Sequence, residues 1–339
     1  MIREGLVKIV KRQDLDETEM TQIMTEIMSG ETTDAQIGAL MGALATKGET
    51  FAELAGAARA MRRKAVRVHT SASTVVDTCG TGGDAKHSFN ISTTAAFVVA
   101  GCGVTVAKHG NRSVSSKCGS ADLLEALGVR LDVAPEVVEE AVQEVGIGFL
   151  FAPLYHGAMR YAANARKETG IRSIFNMLGP LTNPAGANCQ LLGVYAPGLT
   201  EMFAQALRIL GARTALVVHG HDGLDEISVC APTRISELRD GLIRTYDVTP
   251  EQLLGRQAAF EDMIGGDAAE NAEITRRILS GEDKGPKRDV VVVNSAGALF
   301  AAGVVKDFKD GVRQAEGSID NGAAAGKLDA LVRFTQSVA

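Results

Sequence analysis

The sequence predicts an α/β protein: a small helical region at the N-terminus, followed by a large α/β domain with a largely parallel sheet. Two observations carry this. Three helix-capping patterns follow one another within the first 65 residues, and from Ser73 onward short β-branched runs alternate with helical stretches. Composition is the third observation. At 339 residues, with 45% apolar and 22% charged, the chain has ordinary globular usage and room for two domains.

The helical region is read from its caps. Asp16 with Glu19 opens one helix, whose apolar stripe is Met20, Ile23, Met24, Ile27 and Met28, and Gly30 ends it. Thr33 with Gln36 opens the next, with Ile37, Leu40, Met41 and Leu44 inside and Gly48 after it. Thr50 with Glu53 opens a third, carrying Leu54, Ala57 and Met61. Each pair can satisfy backbone donors that the first helical turn leaves without partners, so the starts rest on chemistry and not on propensity alone. The methionines read as core packing.

Beyond residue 73 the runs 75–76, 104–107, 191–194, 215–218 and 290–293 read as strands, and 93–101, 121–127 and 201–210 as helices. In such sheets ligands bind at the carboxyl ends of the strands, so the loops there are the informative ones.

Charge and cysteine usage exclude several classes. A net charge of -6 argues against a non-specific grip on nucleic acid. The five cysteines are odd in number and include no CxxC pair, which argues against a disulfide framework or a zinc site and for a reducing cytoplasm. The first residues, MIREGLVKIVKRQDLDETE, resemble neither a signal nor a transit peptide, and no run of roughly 18 apolar residues is present to span a membrane.

Four loops carry chemistry. Asp77-Thr78-Cys79-Gly80-Thr81-Gly82-Gly83-Asp84 follows a short strand, and its glycines free backbone N–H groups to meet an anion. It is neither a Walker loop nor a dinucleotide fingerprint, and a glycine loop alone is as often a tight turn as a phosphate cradle. The continuation, Ser88-Phe89-Asn90-Ile91-Ser92-Thr93-Thr94, sets hydroxyls and an amide at a helix start, which can cap the helix or bind phosphate. The second loop, Lys108-His109-Gly110-Asn111-Arg112, offers a point charge and hydrogen-bonding groups; Ser113, Ser115 and Ser116 continue it, and Gly119-Ser120-Ala121-Asp122 starts the next helix. The third, His219 to Glu226, ends in adjacent carboxylates, Asp225 and Glu226, which are hard oxygen ligands suited to magnesium where a substrate carries phosphates. The fourth, Arg166 to Pro184, has the Gly-Pro punctuation of a chain crossing between subdomains.

The runs DTCGTGGD, FNIST, KHGNR, GSADLLEALG, GIRSIFNMLGPLTNPA and DGLDEIS resemble, in order, signature stretches of the anthranilate phosphoribosyltransferase family, with the likeness running the length of the chain. The resemblance implies a nucleoside phosphorylase/phosphoribosyltransferase-like fold, in which a small helical domain (1–70) is joined by hinge segments near 165–185 to an α/β domain (71–339). It implies transfer of the phosphoribosyl group of phosphoribosyl pyrophosphate to anthranilate in tryptophan biosynthesis, with Mg2+, in a homodimer formed through the helical domain. Carried over by motif, Gly80, Gly82, Gly83, Asp84, Ser88, Asn90, Ser92, Thr93, Lys108 and Ser120 would hold phosphoribosyl pyrophosphate. Gly80, His109, Asn111, Arg166 and Gly179 would line the anthranilate channel, and Ser92, Asp225 and Glu226 would hold magnesium. Two departures are visible: Cys118 stands where the family often has serine, and Gly157 where it often has proline after the histidine.

Charge dictates the expected chemistry. As the sugar C1–O bond breaks, positive charge builds on the ribose, much as in glycoside cleavage. An aromatic amine is already neutral near pH 7, so positioning and electrostatics suffice and no single catalytic base is assigned. Closure of the domains over both substrates would keep water from the activated sugar. A pyrimidine nucleoside phosphorylase would not need the Asp225–Glu226 pair. A nucleic-acid-binding relative would show basic stripes and interleaved aromatics, whereas aromatics are only 4% here and the balance is acidic.

Overall fold

The computed structural model describes residues 1–113 and 117–337, so Ser115 and Ser116 lie outside the described residues. Four helices open the chain: Ile2–Ile9, Glu17–Met28, Asp34–Lys47 and Phe51–Lys64. All three capping boxes form with both reciprocal bonds in place. The capping patterns mark the last three of these helices and not the first. That helix has no side-chain cap; its start is held by the terminal amine, which pairs with Glu4 and Glu26. No helix among the described residues is long and apolar enough to cross a membrane.

The rest builds a seven-stranded sheet from β1 (Val75–Asp77), β2 (Thr105–Gly110), β3 (Ile147–Phe151), β4 (Cys189–Gly193), β5 (Thr214–Gly220), β6 (Thr233–Arg239) and β7 (Leu242–Val248), in the order β3-β2-β1-β4-β5-β6-β7. β3 through β5 are parallel, and β6 and β7 form an antiparallel hairpin on the edge. The hairpin turns at Asp240-Gly241, both at positive φ (52° and 75°), the Asp-Gly pair that such turns favour. From β1 the chain builds outward on one side, then crosses to build the other side from β4. That reversal between β1 and β4 opens a crevice at the strand ends, the place where open α/β sheets bind ligands.

One expected strand is corrected. Residues 290–293 lie inside the helix Pro286–Ala302. Val290 to Val293 are all buried, as are Ala296, Ala298 and Leu299. A helix buried on every side shows no amphipathic period, so four valines in a row mimic a core strand.

Alternate strand residues face opposite cores. Leu191, Leu216 and Val218 pack with helices Ile91–Gly101 and Pro286–Ala302 on one face. Leu192, Ala215 and Val217 pack on the other with Phe203 of helix Leu199–Ile209 and with the N-terminal helices. The second core also takes in Ala162, Ala165, Ile174 and Phe175, so the segment between β3 and β4 joins the helical region. Arg59 and Arg62 reinforce the junction, donating to the carbonyls of Ile209 (3.2 Å) and Leu181 (2.6 Å).

Candidate functional site

The crevice between β1 and β4 is closed at its base by two glycines. Gly80 lies against the Gly193 carbonyl, where a Cβ would come to 3.0 Å from that oxygen and 3.3 Å from an Asp225 carboxylate oxygen. At Gly193 a Cβ would lie 1.5 Å from the Asp225 carbonyl oxygen, so no side chain fits there. The loops after β1, β4 and β5 therefore meet backbone to backbone. Gly193 had no role in the sequence reading; its signal was a glycine at a strand's carboxyl end.

This contact gathers Asp84, Asp225 and Glu226. Burial, then the charge of nearby Asp84, raises the pKa of Asp225. Burial, then Asp225, raises that of Glu226, while Lys108 and a hydrogen bond from Ser92 oppose the shift. Asp84 spends one oxygen on the Lys86 N–H (3.1 Å), and its buried Oδ2, beside Asp225, meets no hydrogen-bond donor within bonding geometry among the described residues. Lys108 is buried beneath the glycine loop, with Nζ donating to the Thr78 carbonyl (3.3 Å). Three carboxylates around one lysine leave an excess of negative charge, a fit for a hard divalent cation. His219 and His221 do not converge on it: His219 Nδ1 meets the Val194 carbonyl at 2.7 Å, and His221 faces Asp247.

The helix start beside the loop is not closed by a side-chain cap among the described residues. Asn90 occupies the N-cap position without a side-chain cap; its amide donates to the Cys118 carbonyl (3.1 Å) and accepts from Asn271 (3.0 Å). Ser88 bridges to Ile264, and Thr93 is buried. Ser120 holds the Asn111 backbone from both sides, accepting from its N–H and donating to its carbonyl, each at 3.2 Å. Arg112, in contrast, is tied to Asp122 and Glu125, a structural pairing.

The opposite wall is made of rings and an arginine. His109 is buried, and its Nδ1 meets the Gly179 carbonyl at 3.0 Å. A carbonyl only accepts, so Nδ1 carries the proton and Nε2 keeps a lone pair with no partner among the described residues. The His156 ring packs edge-on at 5.1 Å, and its buried Nε2 likewise has no partner among the described residues. Burial lowers the pKa of His109 to about 3 and of His156 to about 4, so both rings stay neutral. His156 was read from sequence only as the neighbour of Gly157; nothing there showed that it would meet a residue 47 positions earlier. Arg166 is half-buried, lies over the Phe175 ring at 5.6 Å and makes no ion pair among the described residues.

Two further residues, Asp77 and Arg172, knit the loops. Asp77 is fully buried and accepts from the N–H groups of Cys79 (3.0 Å) and His109 (3.2 Å) and from Asn183 Nδ2 (2.7 Å). It thus ties three strand-end segments together. Asp77, Cys79 and His109 bring ligand-type atoms within 4.8 Å of one another, but the carboxylate is engaged internally and burial keeps the thiol protonated. Arg172, also without an assigned role from sequence, donates to the Gly83 carbonyl (2.7 Å) and stacks over Tyr195 at 4.0 Å. Cys118 is buried with its thiol on the Gly119 carbonyl, and the space beside Gly157 is open, so neither departure disturbs the cluster.

Comparison with known proteins agrees with this layout. Residues 3–65 match the glycosyl transferase family helical bundle domain, and residues 72–325 the glycosyl transferase family a/b domain. A protein of Syntrophobacter fumaroxidans named anthranilate phosphoribosyltransferase is 73% identical over 335 residues, covering 99% of this chain and 99% of its own. One of Moorella thermoacetica with the same name is 56% identical over 337 residues, again covering 99% of each. Among solved structures, the Thermus thermophilus anthranilate phosphoribosyltransferase aligns with a TM-score of 0.92 at 43% identity, covering 98% of this chain and 99% of that one. The Saccharomyces cerevisiae enzyme in complex with PRPP and Mg aligns with a TM-score of 0.90 at 27% identity, covering 99% and 98%.

Proposed function

The chain belongs to the anthranilate phosphoribosyltransferase family, and from that premise we propose how its own residues perform the family reaction. The reaction moves the phosphoribosyl group of phosphoribosyl pyrophosphate to the amine of anthranilate, with release of pyrophosphate, in tryptophan biosynthesis.

The observation that carries the residue assignment is the crowding of Asp84, Asp225 and Glu226, with one buried Asp84 oxygen that meets no hydrogen-bond donor among the described residues. Asp225 and Glu226, with Ser92 beside them, would hold Mg2+, which when bound would offset charge on the leaving pyrophosphate. Gly80, Gly82 and Gly83 bring backbone N–H groups to the phosphates, and Asp84, Ser88, Asn90, Thr93, Lys108 and Ser120 complete that subsite. Lys108, fixed under the loop, supplies positive charge without moving.

Anthranilate lies along the other wall. His109 and His156 offer neutral rings with lone pairs, which can accept a hydrogen bond from the amine as it forms the C–N bond and sheds a proton. Arg166 meets the carboxylate with paired donors, and Gly80, Asn111 and Gly179 shape the channel. The chain acts as a cytoplasmic homodimer joined through the helical domain, where Val7 and Val10 are exposed at 55% and 68%. The helical domain, 1–70, closes on the α/β domain, 71–339, through segments near 165–185. Anthranilate fluorescence followed with phosphoribosyl pyrophosphate and varied Mg2+ tests this reading. It expects consumption that stops when Mg2+ is chelated; consumption undiminished by chelation overturns the metal assignment.

A further inference from the structure

Between β5 and β6 the chain runs through residues 221–232 without a strand partner, and the acidic pair lies in this stretch. Much of it is held from within. The Leu224 carbonyl accepts from Gly220 (2.8 Å), the Leu224 N–H goes to Asp222 (3.2 Å), and the Ser228 N–H goes to Thr233 (2.9 Å). Ile227, the residue after Glu226, is held differently. Its N–H donates to Oδ1 of Asn294 and its carbonyl accepts from Nδ2 of Asn294, both at 2.9 Å.

Asn294 comes from the middle of the helix Pro286–Ala302 and is completely buried among valines and alanines. An amide in such surroundings costs free energy unless it is bonded, and packing alone favours an aliphatic side chain. Here every strong donor is used: the second Nδ2 hydrogen goes to the Val290 carbonyl of the same helix (2.8 Å), which holds the side-chain rotamer. The amide thus imitates a neighbouring strand for one residue of an irregular loop. Below it, Gly297 leaves room for the Ile227 side chain, where a Cβ would lie 2.6 Å from Cδ1. On the other side the Asp225 carbonyl rests on Gly193. Glu226 is therefore strung between two fixed points, one at residue 225 and one at residue 227.

We propose that Asn294 is a positioning residue for the metal-binding pair, clamping the backbone beside Glu226 so that Asp225 and Glu226 present their carboxylates together. The inference rests on the magnesium assignment above. Partners that orient metal ligands without touching the ion are worth about ten- to a hundred-fold in metal affinity, so loss of the clamp weakens binding by that order.

The test uses the full-length protein and Mn2+ alone as probe, with free Mn2+ read by electron paramagnetic resonance. Asn294→Leu removes both bonds at similar volume; Asn294→Ser is the milder change should the first fail to fold. Ser295→Ala is the control, since Ser295 is equally buried on the same helix but bonds to Val291 and Ala95. Asp225→Ala/Glu226→Ala tests the metal assignment itself. The proposal expects the Asn294 variants to bind Mn2+ about ten-fold or more weakly. It also expects their Mg2+ requirement for turnover to rise with the KM for anthranilate unmoved, and Ser295→Ala to match wild type in both. Folded Asn294 variants that bind Mn2+ like wild type, while the double acid variant does not, overturn the clamp alone. Wild-type Mn2+ binding by the double acid variant overturns the metal assignment and the clamp with it.

Discussion

The two walls of the crevice are opposites. The wall from the loops after β1 and β5 sets three carboxylates around the buried Lys108 of β2, and burial first, then their like charge, raises the pKa of Asp225 and Glu226. The wall from the end of β2 and the segment between β3 and β4 holds two neutral histidines and an arginine without an ion pair among the described residues. The first wall carries more negative than positive charge, and the second offers ring lone pairs and a guanidinium without an ion pair among the described residues. Each is incomplete in the way one half of the proposed ternary complex would complete it. An excess of like charge costs stability and persists where function needs it.

Removing the charge from the first wall should have the largest effect. Asp225→Ala/Glu226→Ala should lower turnover by about a hundred- to a thousand-fold, the scale set by losing electrostatic stabilisation of a developing charge. Its melting temperature should match or exceed wild type, because repulsion is relieved. Steady-state rates at saturating substrates and a thermal melt check both halves, and a large fall in melting temperature would make the pair structural.

The second wall is probed next. A charge-assisted contact is worth roughly 1.5–3 kcal/mol, so Arg166→Ala should raise the KM for anthranilate by about ten- to a hundred-fold. The KM for phosphoribosyl pyrophosphate should hardly change, and lysine should not restore binding, since it lacks the planar fork. Equal effects on both substrates would assign Arg166 to the hinge instead.

The histidines give a smaller signature, in stability. Their folded pKa values, about 3 and about 4, lie below the ordinary histidine value. The unfolded chain therefore binds protons that the folded one refuses, and the neutral rings' contribution is complete above about pH 6.5 and lost as pH falls through about 4 and then about 3. Urea midpoints measured across that window should fall less steeply for His109→Gln/His156→Gln than for wild type. Parallel curves would mean that the rings are solvated in the native state. The smallest effect concerns Cys118→Ser, which should keep most turnover, because a serine hydroxyl can make the thiol's contact to the Gly119 carbonyl and burial raises the thiol pKa, against a role as nucleophile. Near-complete loss in a folded variant would give the thiol a role in the phosphate loop.

Legibility followed the range of the interactions. Asp16–Glu19, Thr33–Gln36 and Thr50–Glu53 are bonds between residues three apart, and each formed as read. The helix Ile2–Ile9 escaped because its start depends on the terminal amine and on Glu26. The run 290–293 was misread because burial on all sides erases the period that separates a helix from a strand. Within the site, Gly80, Asp84, Lys108, Asp225 and Glu226 were visible as unusual chemistry at strand ends. His156, Gly193, Arg172 and Asp77 were not, since each acts through a partner remote in sequence.

What the amino-acid sequence determined by itself was therefore local: where the capped helices begin, which loops end strands, and which of those loops carry acids, glycines and bases. Signature runs added the family. Tertiary structure alone decided that Gly80 and Gly193 would meet, that Asp84 would join Asp225 and Glu226, that His109 would face His156, and that an asparagine from a buried helix would hold the backbone beside Glu226. The physical reason is the sheet order. Placing β1 beside β4 joins loops more than a hundred residues apart, and only there do burial and like charge act together on one cluster.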